Sequence, residues 1–476
     1  MPESHTPLPY RKDRWRTLDR ENPPKRPAVE RVADFLEISA GFTEEMAIEQ
    51  ASRCVQCPNP TCTEGCPLSN RIPEWLALTA EGRFLEAAEI SRSTSNLPEI
   101  CGKVCPGPCE ANCIIDGKAE PVSIGAIERF INEYAFTHGS SPDPPFLPNG
   151  YKVAIVGSGP GGLSCGAELT KLGYAVTIYE SQKDAGGLLV HGIPSFKLDK
   201  AIVERRIRFL EDRGVKFRLG VTIGVNVQLS ELRRDYDAIF LAIGAYKAKP
   251  LRIPGSDLKG VEESLPFLIK KNIRGHHEIE DVEVHGKRVV VLGGGDTAMD
   301  CLRTALRAGA ASATCVYRRD EDNMPGSRKE YTNSVEEGAE FQYLTNPVEV
   351  LGDESGHVAG LRCVRMELGE PGEDGRRRPA PVEGSEFDIP ADIVLVAFGF
   401  DPIPFPDGCE LAEIKRNQWG GMIVDDNKMT SIEGVYAGGD IVRGASLVVH
   451  AIRDARAAAE AIHRTLAGKE KEAEPA

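Results

Sequence analysis

The sequence has no apolar run approaching the ~18 residues that a membrane-spanning helix requires, and residues 1–15 have no apolar signal-peptide core. It also has no excess of positive charge, since the formal net charge is −15 at pH 7. This charge argues against nucleic acid as a bulk electrostatic partner, although local basic pockets for phosphate groups remain possible. We therefore expect a cytoplasmic protein.

The cysteine spacing does not suit a disulfide scaffold, which is typical of small secreted chains. Eight of the thirteen cysteines lie between positions 54 and 113, and this clustering indicates metal binding. The other five occur singly, without the C-x2-C or C-x4-C spacing of a redox pair, and we expect them to be buried. They are Cys165, Cys301, Cys315, Cys363 and Cys409.

With 476 residues, 41% of them hydrophobic, the chain is expected to divide into about three domains of ~150 residues. A Pro- and Gly-containing stretch at 139–150 is the clearest linker, residues 1–27 resemble an extended arm, and residues 468–476 resemble a disordered tail. Before the linker, amphipathic periodicity predicts helices at about 28–40, 43–53, 72–94 and 123–137.

After residue 150 the pattern changes to alternating apolar strands and helices, which is typical of a parallel sheet. Two units open with similar strands, 153–157 and 289–293. Apolar segments at 238–244 and 434–440 are predicted to return to the first sheet, and the segment 393–399 to the second. The second unit is therefore predicted to be inserted into the first.

The first unit carries a G-x-G-x-x-G motif between a strand and a helix. Gly157 permits a tight turn, Gly159 lets the backbone approach a pyrophosphate, and Gly162 allows close packing on the strand. Glu180 ends the next strand, where a carboxylate accepts hydrogen bonds from ribose. This context predicts a dinucleotide site.

FAD is favoured over NAD because Gly186-Gly187-Leu188-Leu189 and Gly438-Gly439-Asp440-Ile441 resemble glutathione-reductase-like flavoproteins. Unlike the disulfide reductases of that fold, residues 186–198 contain no cysteine. The helix after Ser446 is predicted to direct its positive end at the flavin. The residues expected at FAD are Gly157, Gly159, Pro160, Gly162, Glu180, Gly187, Leu188, Leu189, Gly244, Gly439, Asp440, Leu447 and Val448.

The second unit carries the same motif in its G-x-G-x-x-A form. Where an NAD site places an acid, at the end of the following strand, Arg318 and Arg319 stand instead. Two guanidinium groups suit a 2′-phosphate, so NADPH is favoured over NADH, although a solvated surface pair is the alternative. The residues expected at NADPH are Gly293, Gly295, Asp296, Thr297, Ala298, Arg318 and Arg319.

The N-terminal cysteines follow ferredoxin-like spacing, C-x2-C-x4-C-x3-C-P and then C-G-x-x-C-P. Zinc is the alternative, because C-x2-C pairs are common in zinc ribbons. In two-cluster ferredoxins the last cysteine of a run serves the other cluster. The expected ligands are Cys54, Cys57, Cys62 and Cys113 for one [4Fe-4S] cluster, and Cys66, Cys105 and Cys109 for a second.

The eighth ligand has two candidates. Cys101 is the remaining thiol, and Glu128 lies on the apolar stripe of a predicted helix, together with Ile124, Ile127 and Ile131. A carboxylate on such a stripe requires a partner, and iron is one.

Taken together, these motifs resemble the family of small (β) subunits of NADPH-dependent glutamate synthases, and also the N-terminal part of dihydropyrimidine dehydrogenase. The resemblance covers nearly the whole chain, and is carried by residues 54–67, 100–106, 187–194, 292–300, 317–327 and 437–454. It implies Glu128, not Cys101, as the eighth ligand. One departure is the spacing of three residues between Cys105 and Cys109, where relatives commonly have five.

The resemblance implies an α/β fold with an N-terminal all-α domain: a helical two-cluster ferredoxin-like domain, then two Rossmann-type, glutathione-reductase-like domains. The expected boundaries are 1–145 for the iron-sulfur domain, 146–282 and 401–476 for the two parts of the FAD domain, and 283–400 for the NADPH domain.

The implied function is that of the electron-input subunit: NADPH is oxidised at FAD, and electrons pass singly through two [4Fe-4S] clusters to a large FMN-containing subunit that makes L-glutamate from L-glutamine and 2-oxoglutarate. No catalytic side-chain acid or base is expected. One alternative is the same module serving a ferredoxin or a pyrimidine-reducing partner. Another is a zinc-bearing scaffold that binds nucleotide as a regulator.

Overall fold

The computed structural model describes residues 12–139, 147–272, 280–372, 377–406 and 408–468. The predicted tail beyond residue 468, much of the predicted linker and the start of the predicted arm lie outside these residues. The described part of the N-terminal domain is helical. Its α-helices are α1 Ala28–Arg31, α2 Glu44–Ser52, α3 Thr61–Gly65, α4 Ile72–Ala80, α5 Phe84–Thr94, α6 Pro98–Val104, α7 Pro108–Ala111 and α8 Ile124–Thr137.

Two of the helix predictions were wrong in extent. The helix expected over 28–40 ends at Arg31, because the Asp34 carboxylate accepts the amide of Leu36 (2.9 Å) in a local turn that competes with helix. The helix expected over 72–94 is two helices, separated at Gly82, whose φ is +75°. The amide of Arg83 bonds to the carbonyl of Leu78 (2.9 Å), which closes the first helix in a glycine cap.

Two α/β units follow the helical domain. Before the chain crosses to the second unit, the first unit contains β1 Lys152–Val156, α9 Pro160–Lys171, β2 Ala175–Tyr179, α10 Leu188–His191, α11 Lys200–Glu211, β3 Lys216–Arg218, α12 Leu229–Asp235 and β4 Ala238–Leu241. Then come β5 Lys247–Ala248, β6 Val261–Glu263, α13 Ser264–Asn272, β7 Arg288–Leu292, α14 Asp296–Arg307, β8 Ser312–Val316, α15 Arg328–Glu336, β9 Glu340–Gln342, β10 Thr345–Gly352, β11 Val358–Pro371, β12 Arg377–Pro381, β13 Phe387–Pro390, β14 Ile393–Val396, β15 Phe400–Asp401, β16 Val435–Ala437, α16 Asp440–Arg443 and α17 Val448–Ala467.

The strands form two parallel sheets. The first sheet has the order β16-β4-β1-β2-β3 and the second has the order β6-β14-β7-β8-β9. Strand β16 returns to the first sheet after the whole second sheet has been completed, so the predicted insertion is confirmed. An antiparallel layer of β10 to β13 is attached to the second unit, and β5 pairs with β15 in a two-stranded ribbon between the units. The sequence analysis did not predict this layer or the ribbon.

Candidate functional site

The glycine loop after β1 is shaped by two steric requirements. Gly157 has a φ of +100°, and a Cβ there would overlap the carbonyl oxygen of Ala242. A Cβ on Gly162 would overlap the carbonyl oxygen of Gly157. Only glycine fits at both positions, and α9 therefore starts immediately against the strand, with Gly159 as its N-cap. This cradle fits the pyrophosphate of a dinucleotide at a helix N-terminus.

Glu180 is buried next to this loop. Its Oε2 accepts hydrogen bonds from the amide (3.0 Å) and the hydroxyl (2.5 Å) of Ser158, and that hydroxyl accepts the amide of Gly186 (2.9 Å). A Cβ on Gly187 would lie 2.9 Å from Cα of Gly159. The structure thus brings together three segments that the sequence analysis assigned to FAD.

The fourth segment, Gly439-Asp440, approaches from the end of β16. Its conformation depends on Asp454, which is 1% exposed on α17 and accepts the amide of Gly439 (3.2 Å) and two N–H groups of Arg443 (2.8 and 2.5 Å). Asp454 was missed, although a charged residue on the apolar stripe of a helix is the same signal that indicated Glu128. Burial raises the pKa of Asp440 to about 7.

The start of α17 lies beside the glycine loop. A Cβ on Gly161 would be 4.0 Å from Cβ of Ala451, and a Cβ on Gly439 would be 3.5 Å from the same atom. Leu447 is the N-cap of α17 and Val448 is its first residue. The N-termini of α9 and α17 are thus neighbours, and both direct backbone amides at this cleft. Gly244, two residues before Tyr246, has a φ of +74°. The hydroxyl oxygen of Tyr246 would lie 3.7 Å from a Cβ on Gly187. Tyr246 was not among the residues predicted from the sequence.

The second glycine loop has a similar construction. Gly293 has a φ of +132°, and a Cβ there would overlap the carbonyl oxygen of Ala397. Helix α14 begins at Asp296, whose carboxylate accepts the amide of Ser327 (2.8 Å), while Gly326 donates to the carbonyl of Gly294 (2.9 Å). These two hydrogen bonds hold the loop after β8 against the first turn of α14, which contains Thr297 and Ala298.

Arg318 and Arg319 follow β8 directly. Arg318 is exposed and Arg319 is half-buried. Among the residues that the structure describes, neither arginine forms an ion pair, and the buried Nε of Arg319 has no hydrogen-bond partner. Two uncommitted guanidinium groups at this position fit a phosphate group.

The first cysteine group converges as expected. Cys54, Cys57, Cys62 and Cys113 line one small cavity, together with apolar side chains of α4 and of the loop after α7. Burial raises the pKa of Cys54 to about 12 and that of Cys62 to about 11, so iron would have to displace protons from these thiols. Cys57 is half-buried and the neighbouring Ile114 is 48% exposed, which places this cavity close to the surface.

The second group lines a cavity of about 480 Å³. Cys66, Cys105, Cys109 and Glu128 all contribute to its wall, and so does Cys101. The cavity wall also includes Val449 in the first turn of α17, which lies beside the first glycine loop. The structure therefore brings both candidates for the eighth ligand to the same place.

Glu128 and Cys101 differ in their surroundings. Oε1 of Glu128 accepts hydrogen bonds from Asn70 (2.9 Å) and Ser91 (3.4 Å), and Asn70 is itself held by Trp75 (3.1 Å). Burial raises the pKa of Glu128 to about 8, against the lowering effect of these hydrogen bonds. Cys101 packs in the apolar core with Leu97 and Ile100. Of the two candidates, the Glu128 carboxylate is thus the one whose orientation is fixed by hydrogen bonds.

Within the described ranges, no three His, Cys, Asp or Glu side chains are grouped closely enough to hold a single metal ion.

Gly102, the glycine of the C-G-x-x-C-P run, determines how closely α6 approaches α8. A Cβ on Gly102 would lie 2.6 Å from the carbonyl oxygen of Gly125 and 2.7 Å from the amide nitrogen of Arg129. Only glycine lets the two helices meet at this point, and their contact places Cys105 and Glu128 on one cavity.

We expect Gly102→Ala to separate α6 from α8, to cost about 1–3 kcal/mol of folding stability through overpacking, and to deplete iron at the second cavity while FAD is retained. Denaturant unfolding and iron analysis measure both effects. Gly41→Ala is the control, because nothing lies within 4 Å of a Cβ there. Wild-type stability and iron content in Gly102→Ala would contradict this account.

The five isolated cysteines are all buried, as expected: Cys165, Cys301, Cys315, Cys363 and Cys409. No helix in the described part of the chain is long and apolar enough to cross a membrane.

Two family models match the chain. Residues 31–140 match dihydropyrimidine dehydrogenase domain II, 4Fe-4S cluster, and residues 151–455 match pyridine nucleotide-disulphide oxidoreductase. Mycobacterium tuberculosis FprA in complex with NADPH has the same fold, with a TM-score of 0.59 at 24% identity over 67% of this chain and 84% of that one. The chain thus belongs to the pyridine nucleotide-disulphide oxidoreductase family and carries an iron-sulfur domain.

The glutamate synthase [NADPH] small chain of Azospirillum brasilense is 48% identical over 452 residues, 93% of each chain. The chain belongs to this small-chain family, as the sequence motifs predicted. The putative oxidoreductase AegA of Escherichia coli is 45% identical over 94% of this chain and 70% of its own length. Membership of an iron-sulfur enzyme family removes the alternatives of a zinc ribbon and a zinc-bearing scaffold.

Proposed function

We propose that the chain is the electron-input subunit of a glutamate synthase, with two [4Fe-4S] clusters and a large FMN-containing partner subunit that makes L-glutamate from L-glutamine and 2-oxoglutarate. Bound FAD would accept two electrons as a hydride from NADPH, and the clusters would pass these electrons on one at a time. The family relationship supports this proposal. So does the larger cavity, because its wall contains the second ligand set and also Val449 in the first turn of α17.

The residues present fit each group. The glycine cradles at Gly157 and Gly293 admit dinucleotides, and Arg318 and Arg319 would hold the 2′-phosphate of NADPH. Cys54, Cys57, Cys62 and Cys113 would hold the first cluster, and Cys66, Cys105, Cys109 and Glu128 the second. The short loop between Cys105 and Cys109 is accommodated by Gly107, whose φ is +77° and which starts α7.

The positions of the cavities indicate an order for the electron path. The second cavity shares Val449 with the flavin side, whereas the first is lined only by the N-terminal domain and lies near the surface at Ile114. We infer that the second cluster lies next to FAD and that the first faces the acceptor subunit. The side chains at the flavin provide binding, charge and exclusion of water, and none is required as an acid or base.

The chain purified anaerobically is expected to contain one FAD and the iron and acid-labile sulfide of two [4Fe-4S] clusters. The two ligand sets supply eight ligands, one for each iron atom. Metal, sulfide and flavin analysis measures this content. Stoichiometric zinc without sulfide would contradict the proposal, and sulfide for one cluster would contradict the second ligand set.

The acceptor is identified by co-purification from the native cell, followed by assay of NADPH-dependent glutamate formation from glutamine and 2-oxoglutarate. Recovery of a large FMN-containing subunit supports the proposal. The specific observation that favours another acceptor is the similarity to AegA, in which the matching region is only part of a longer chain. Recovery of a ferredoxin or a pyrimidine-reducing partner instead would establish that alternative.

A further inference from the structure

The second α/β unit has a slender covalent connection to the first. In the described part of the chain, the two crossings between the sheets pair as the ribbon of β5 with β15, two residues each, and the amide of Lys249 donates to the carbonyl of Gly399 (3.1 Å). Units joined in this way are expected to move relative to each other unless their interface prevents it. The nicotinamide unit therefore needs other contacts if it is to keep one orientation towards the flavin unit.

Such contacts centre on Glu337, at the end of α15. Its side chain is completely buried and accepts four N–H groups: Nε of Arg31 (2.8 Å), Nε and Nη2 of Arg303 (2.8 and 3.0 Å), and Nη1 of Arg307 (2.6 Å). Arg31 belongs to α1 of the helical domain, is 2% exposed, and also pairs with Glu336 (2.6 Å). The helical domain is thus bound to the nicotinamide unit through charges removed from water.

Lys197 makes the corresponding contact from the flavin unit. It lies in the loop between α10 and α11, and its Nζ is 2.8 Å from Oδ1 of Asp300 and 3.8 Å from Oε2 of Glu330. Asp300 is on α14, and Glu330 pairs with Arg303. All of these side chains are at most 9% exposed.

Phe196, next to Lys197, joins the three parts. Its ring lies 4.5 Å from the guanidinium carbon of Arg303 and 3.9 Å from that of Arg307, in cation–π geometry. Its carbonyl accepts the amide of Ile38 (3.2 Å), and its ring is 6.3 Å from that of Phe35, both in the helical domain.

We call this set the interdomain latch. Its charged members are the cations Arg31, Lys197, Arg303 and Arg307 and the carboxylates of Asp300, Glu330, Glu336 and Glu337, and Glu336 also pairs with Lys25 (3.1 Å). Any rotation of the nicotinamide unit would leave buried charges without partners, which is strongly unfavourable. Helix α14, which carries the nucleotide-binding turn at its N-terminus, also carries three of these charges.

We propose that Arg31, Phe196 and Lys197 are positioning residues for hydride transfer. By holding α14, they fix the orientation of bound NADPH relative to the flavin. This inference rests on the proposed transfer of hydride from NADPH to FAD. The helical domain would then help to orient the nicotinamide unit, in addition to holding the clusters.

The test uses the full chain with its cofactors, mixed anaerobically with NADPH while flavin bleaching is followed. We expect Lys197→Met and Arg31→Met to lower the limiting rate of flavin reduction by at least about tenfold, because a misplacement of ~1 Å can cost about 10²-fold. The dissociation constant of NADP⁺ should change less than about twofold. Lys197→Arg, which keeps the charge, should restore much of the rate.

The double variant Lys197→Met/Asp300→Leu removes a pair without leaving a buried charge unpaired, so it separates positioning from folding. It should fold, bind FAD and NADP⁺ normally, and remain slow. Arg83→Met removes two exposed ion pairs within the helical domain, those with Glu81 and Glu86, and should match wild type.

A wild-type reduction rate in the double variant would overturn the inference. So would a parallel loss of rate, FAD and NADP⁺ binding in the double variant, since that indicates a purely structural role. If NADPH fails to reduce the flavin of the wild-type chain, the proposed function itself is wrong, and this outcome is recognised before any variant is compared.

Discussion

Replacing Arg318 and Arg319 together with serine is expected to lower the preference for NADPH over NADH by about 10²- to 10⁴-fold. Each charged hydrogen bond to the 2′-phosphate contributes roughly 1.5–3 kcal/mol, and about 1.4 kcal/mol corresponds to a factor of ten. The KM for NADPH should rise far more than that for NADH, which has no phosphate there. Steady-state kcat/KM for both nucleotides, with ferricyanide as acceptor, measures the ratio.

Arg328→Ser is the matched control for this double substitution. Arg328 is an exposed arginine that follows the same loop, and it is already paired with Glu321. Its removal should leave the nucleotide preference unchanged. An equal loss of kcat/KM for both nucleotides in the Arg318 and Arg319 variant would show that the pair does not recognise the phosphate.

Glu128→Ala is expected to remove up to half of the iron and sulfide, whereas Cys101→Ala should retain both clusters. The carboxylate of Glu128 is preorganised at the second cavity by Asn70 and Ser91, and its loss leaves one iron atom without a protein ligand. Water or the nearby thiol can substitute, so partial retention with an altered electron paramagnetic resonance spectrum agrees with the same assignment. Iron analysis and spectra of the reduced protein measure these effects.

Cys165→Ala serves as the control, because Cys165 is equally buried but packs in the core of the first α/β unit. It should retain all of the iron. The decisive comparison is between the two variants at the second cavity. If Cys101→Ala loses iron while Glu128→Ala keeps full iron and an unchanged spectrum, the thiol is the ligand and the assignment of Glu128 is wrong.

Much of the candidate site was accessible from the sequence because its requirements are local. The glycines at 157, 162 and 293 are needed by turns that span only a few residues, and the structure shows backbone atoms where their Cβ atoms would be. The position of Glu128 was also predictable from a short segment. Helix α8 runs from Ile124 to Thr137 and buries Ile124, Ile127, Glu128 and Ile131 on one face. The strands at 238–241, 393–396 and 435–437 were recognised by their continuous apolar character.

Local patterns failed where a side chain or a distant segment competed with them. The carboxylate of Asp34 ends a helix that periodicity extends to residue 40, and the positive φ of Gly82 divides another. Asp454 escaped notice because its role depends on Arg443 and Gly439, which reach it only after α16 and α17 have folded together.

The sequence by itself therefore predicted the class of each site: two glycine turns that suit dinucleotides, two groups of cysteines with ferredoxin-like spacing and a pair of arginines that suits a phosphate. These follow from residue type and spacing within short segments. Only the tertiary structure decided which groups share a cavity, that Val449 at the start of α17 lines the second cavity, and that Arg31 pairs with Glu337. Arg31 and Glu337 are 306 positions apart, and such a pairing depends on how the whole chain folds, which no local periodicity records.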